Sequence, residues 1–222
     1  MLKLTARVLT FVAATVAVVA MPGTAEAGPP LICHPFDAGS ARLLPWGSGP
    51  GWNTPDRSYD VQRLTADTLQ LLTPTAPVLA RMENMRRATI YAGRDRKVAA
   101  ALLRAVIDRA SSAAPESKDS MAWFDAGYLI ETYRQNRATA GLDMLAGVEP
   151  SLSEFRSVRL SSGAEGYSLV LRALELAGEN AEMQFAASLM QHGTVAADHR
   201  RRAAAGAVKG SLLAKNLAAI PQ

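Results

Sequence analysis

Residues 77–111 read PVLARMENMRRATIYAGRDRKVAAALLRAVIDRAS. Val78, Met82, Met85, Ala88 and Ala92 recur near the helical period, Gly93 is placed as a C-terminal cap, and Asp95 is placed to cap the helix that follows. From there to about Ser111 two apolar rows run side by side, Val98–Leu102–Val106 and Ala99–Leu103–Ile107. A helix apolar on two adjacent stripes is packed between neighbours rather than laid on the rim of a two-layer domain. Two helices joined by three residues predict an antiparallel hairpin.

The same pattern extends in both directions. Upstream, Val61, Leu64, Leu69 and Leu72 predict a helix stopped by Thr73-Pro74. Downstream, a helix opens at Ser117–Asp119 and runs through about Arg137, with Met121, Phe124 and Tyr128 on one row and Trp123, Gly127 and Ile130 on another. Ser151-x-x-Glu154 and Ser162-x-x-Glu165 match the capping box, in which hydroxyl and carboxylate satisfy free amides reciprocally. The second box starts a helix with Leu169, Val170, Ala173, Leu174 and Ala177, closed by Gly178. Asn180 is placed to cap the next, His192-Gly193 ends it, Thr194 can cap another, and a last helix carries Leu212, Leu213 and Leu217. Convincing period-two alternation is missing, with only a brief extension possible at Arg156–Leu160. The expectation is an all-α chain built as a stack of antiparallel helical hairpins over residues 58–222.

Around Trp123 the chain resembles a tetratricopeptide repeat. Trp123 and Gly127 stand four apart, as the family's tryptophan and glycine do. Ile130 takes the place of its tyrosine, Ala126 of its leucine, and Pro150 falls near its closing proline. Gly178-Glu179-Asn180-Ala181-Glu182 is similar to the short turn between such helices, and Gly141 falls inside the second helix of the unit. The resemblance implies an α-solenoid whose concave face binds a partner.

Residues 28–57 differ from everything after them. Six prolines and five glycines forbid regular structure, yet Leu31, Ile32, Phe36, Leu43, Leu44, Trp46 and Trp52 are too apolar for a disordered linker. An ordered irregular arm that lays its aromatics on the helical body is expected. Residues 1–27 read as a secretory signal peptide. Lys3 and Arg7 give a basic start, Val8–Met21 an apolar core, and Ala25-Glu26-Ala27 a cleavage site. The apolar run is too short for a membrane span of about 20 residues. The expectation is a secreted or periplasmic protein cleaved after Ala27, with no stable membrane span afterwards.

A net charge of +4 with acids and bases interspersed makes no nucleic-acid face, and Arg200-Arg201-Arg202 alone reads as a solvated helix face. Neither a G-x-S-x-G elbow, a phosphate loop nor a dinucleotide fingerprint occurs, and no cofactor is implied. Cys33 is the only cysteine, so no internal disulfide forms. Cys33 and His34, with His192 and His199, are the candidate metal-ligating or redox residues, although a dedicated zinc site needs three or four convergent ligands. Trp46, Trp52, Trp123 and Tyr128 are the candidate partner-binding aromatics. Together these features predict an exported, non-enzymatic module that binds another protein or peptide. The alternatives are a small-molecule, metal or redox binder using Cys33 and His34, and an envelope enzyme without a recognisable motif.

Overall fold

The computed structural model describes residues 30–112, 119–141, 143–146 and 165–220. Among these every regular element is helical. A short turn of helix, α1 (Pro30–Cys33), opens the arm. A 3-10 turn at Val61–Arg63 leads into α2 (Leu64–Leu71), followed by α3 (Val78–Ala92), α4 (Arg96–Ser112), α5 (Ser120–Ala140), α6 (Glu165–Ala177), α7 (Ala181–Ser188), α8 (Gly193–Gly206) and α9 (Leu212–Ala219). The predicted signal peptide, the Ser151 capping box, Ser162, Arg156–Leu160 and Pro150 lie outside the described residues.

Local chemistry places most helix ends. The Asp95 carboxylate accepts from the Lys97 amide at 2.8 Å, Asp119 from Ala122 at 3.1 Å, and Asn180 from Met183 at 2.9 Å. Each fills a donor that the first turn leaves open. Gly141 ends α5 at φ 69°, the left-handed region that glycine enters without a Cβ penalty. α4 buries both expected stripes, from Val98 through Ala110.

Consecutive helices pack in turn, and α5 with α6 form the most extensive pair. Gly127 and Gly166 make that closeness possible. A Cβ on Gly166 would stand 2.7 Å from the Gly127 carbonyl oxygen, and one on Gly127 would collide with the Gly166 carbonyl in return. α3 runs through the middle, touching α1, α2, α4, α5 and α7, and of its residues only Arg87 is not buried. The single helix expected from Val61 to Leu72 is instead a 3-10 turn, capped by Asp60, leading into α2.

Candidate functional site

The polar residues of α3 decide how the arm is held. Arg81, Glu83, Asn84, Arg86 and Thr89 are all at most 1% exposed. Charged groups so deep persist only when paired and saturated with hydrogen bonds. Glu83 accepts from Arg86 Nε and Nη2, both at 2.8 Å, from Arg87 Nε at 2.7 Å and from the Phe36 amide at 3.0 Å. Arg86 Nη1 reaches the Trp52 carbonyl at 2.8 Å, and Arg87 Nη1 reaches that of Leu44 at 2.6 Å. Asn84 takes the Leu44 amide and gives to the Arg42 carbonyl. The Tyr91 hydroxyl donates to the Pro45 carbonyl at 2.7 Å and accepts from the Asp56 amide at 3.0 Å. An arm too rich in proline and glycine for a ladder of its own thus has its backbone groups satisfied by side chains of α3.

A second buried ion pair lies further along. Arg81 Nη1 stands 2.5 Å from Asp125 Oδ2, with Arg109 at 3.5 Å, while Arg81 also donates to the carbonyls of Ala76 and Thr73. Burial pushes the Asp125 carboxyl up to about 6 against the pull of both guanidiniums.

The sequence-predicted residues are distributed as follows. Cys33 is half-buried at the end of α1, and burial raises its thiol above the usual range, against the opposing field of Arg86. A raised thiol is a poor nucleophile and metal ligand. Among the described residues, the buried Nδ1 of His34 has no hydrogen-bond partner. His192 forms the N-terminal boundary of α8, near Glu131 on α5, whose carboxyl pKa burial raises against the opposing pull of Arg134. His199 is turned elsewhere. Its Nδ1 meets Gln184 Oε1 at 2.5 Å and its Nε2 meets the Tyr167 hydroxyl at 2.7 Å. Because the Gln184 oxygen can only accept, Nδ1 carries the proton and Tyr167 donates to Nε2. Burial, aided by Arg202, keeps this imidazole neutral by lowering its pKa. Among the described residues no three His, Cys, Asp or Glu side chains gather closely enough to hold a metal ion.

The candidate aromatics are also apart. Trp46 packs edge-on against Tyr91 with centroids 5.7 Å apart, beneath the guanidiniums of Arg86 and Arg87. Trp52 is half-buried in the arm, Trp123 packs against the core from α5, and Tyr128 is fully buried, stacked on Phe124.

None of them lines the open groove of about 760 Å³ between the start of α7, the end of α8 and the start of α9. Ala181, Ala205, Ala207, Val208, Leu212 and Leu213 supply its apolar surface, Glu179, Glu182 and Gln184 one charged and polar edge, and Arg202 another. Val208 is 73% exposed, the most exposed large apolar side chain among the described residues. Glu182 also accepts from the Leu79 amide at 3.3 Å, which ties the groove to the start of α3, and Gln184 joins it to the His199–Tyr167 pair. The sequence marked the elements of this groove, through the Asn180 cap and the Leu212–Leu217 helix, but nothing in the periodicity marked the gap between them.

Among the described residues, no helix is long and apolar enough to cross a membrane. Compared with known protein families, curated proteins and solved structures, the chain matches none.

Proposed function

We propose that this chain is an exported, non-enzymatic interaction module that seats a short segment of a partner protein in the groove between α7, α8 and α9. The observation that carries the reading is the groove's composition. An apolar lining that includes the exposed Val208 is joined by Glu179 in the turn before α7, Glu182 on α7 and Arg202 on α8. Opposite charges at fixed places around an apolar strip suit an extended peptide. One apolar side chain fills the strip, a basic group turns to the glutamates and an acidic group to the arginine. In the same reading the consecutive pairing of α2 through α9 is an open stack of hairpins of the tetratricopeptide kind, with the groove at its C-terminal end. Export rests on the signal-peptide pattern of residues 1–27.

Selection from a displayed random-peptide library tests this reading. Enriched peptides should combine an apolar residue with one base and one acid and bind with micromolar affinity. Val208→Asp and Arg202→Glu should each weaken binding about tenfold or more, with unchanged unfolding midpoints, because a desolvated charged contact is worth about 1.5–3 kcal/mol. No enrichment, or peptides indifferent to both substitutions, would refute it.

A further inference from the structure

A second cavity, about 380 Å³, lies at the far end of the arm and is lined by Gly47, Gly49, Asn53, Thr54, Pro55, Arg57 and Arg94. Its charged lining is cationic throughout, and among the described residues neither Arg57 nor Arg94 is in an ion pair. Other arginines of this half are committed: Arg63 to Asp67, Arg86 and Arg87 to Glu83, Arg81 and Arg109 to Asp125. The acids nearest in sequence do not line the cavity and are already engaged. Asp56 accepts from the Ser58 amide and hydroxyl, Asp60 from the Gln62 amide, and Asp95 from the amides that begin α4.

The loop is built to keep this space. The Gly47 amide bonds the Thr54 carbonyl at 3.0 Å, closing residues 47–54 on themselves. A Cβ on Gly47 would stand 2.8 Å from that same carbonyl, and one on Gly49 would press on the Thr54 methyl at 3.1 Å.

We propose that this cavity binds the oxyanion group, carboxylate or phosphate, of a small polar molecule. Arg57 and Arg94 neutralise it, and Asn53 adds a hydrogen bond. Guanidinium forks match carboxylate and phosphate geometry. The site is separate from the α7–α9 groove and does not depend on the function proposed for it.

Titration of the isotopically labelled chain with inorganic phosphate, and separately with glucuronate, tests the proposal at constant ionic strength, with sodium chloride as the control. The expected result is saturable movement of the resonances of residues 47–57 and Arg94 with at least one of the two. Phosphate alone identifies a phosphoryl ligand, glucuronate alone a carboxylate. Arg57→Gln with Arg94→Gln should weaken binding about tenfold or more without moving the unfolding midpoint, since both side chains are exposed. Asn53→Ala is the second variant. Its side chain is exposed, so it should leave the unfolding midpoint in place while weakening binding. No saturable shift with either anion, equal shifts with chloride, or unchanged affinity in the double variant would overturn the proposal.

Discussion

Glu83 is the residue on which the arm depends. Its carboxylate has four donors within 3.0 Å, three of them guanidinium nitrogens and one the Phe36 amide. Glu83→Gln should therefore destabilise by about 3–5 kcal/mol, the cost of breaking a buried pair and leaving Arg86 without its counter-ion. Denaturant unfolding of the two proteins measures it. Asp125 makes a prediction about pH. Its folded carboxyl titrates at about 6, above the 3.8 of an unperturbed aspartate, so the folded chain holds this proton more tightly than the unfolded chain does. The stability that this proton contributes is complete below 3.8 and is lost as pH rises through about 6. Comparing Asp125→Asn with the parent across that window should show the slope disappear. His199 works in the opposite sense. Burial lowers its pKa from 6.5, so its contribution is whole above 6.5 and is lost as pH falls through the lower folded value.

Among the helices, the α5–α6 contact is the tightest. Gly127→Leu places a branched side chain against the Gly166 backbone and should cost at least about 1–3 kcal/mol, read from the shift in unfolding midpoint. The two glycines are far apart in sequence, and only the folded pair shows why both are small. The caps were legible because each is local. Asp95, Asp119 and Asn180 close hydrogen bonds within three residues of themselves. The two stripes of α4 were legible for the same reason, since burial on adjacent faces repeats along one helix. For α3 the bounds were legible but the burial of its polar residues was not: Glu83, Asn84 and Arg86 meet an arm 34 to 54 residues away, and Arg81 meets Asp125 on α5. One signal was present: an arm with large apolar side chains and no possible backbone ladder must find its donors and acceptors somewhere. Trp46 and Tyr128 are similar cases, aromatics whose surroundings are set by long-range packing rather than by spacing.

Across the molecule, the arm and the last helix are fastened to each other. The Asn216 side chain accepts from the Asp37 amide at 2.9 Å and returns a bond to the Asp37 carbonyl at 2.9 Å. Arg200 closes the end of α9 through the carbonyls of Leu217 and Ile220. The arginine triplet is thus divided among three tasks: Arg200 on α9, Arg201 paired with Asp198 at the surface, and Arg202 in the groove. With arm, α3 and α9 linked, tryptophan fluorescence and far-ultraviolet dichroism should report a single coincident unfolding transition. Asn216→Ala should lower both midpoints together, by about 1–3 kcal/mol for the unpaired Asp37 groups.

The groove carries the functional reading, and mapping a library-selected peptide onto the labelled protein by chemical-shift perturbation tests it most directly. The account predicts saturable shifts confined to residues 179–184 and 202–213, lost in Val208→Asp. Shifts centred instead on the arm, or spread evenly over the helices with Val208→Asp indifferent, would contradict it.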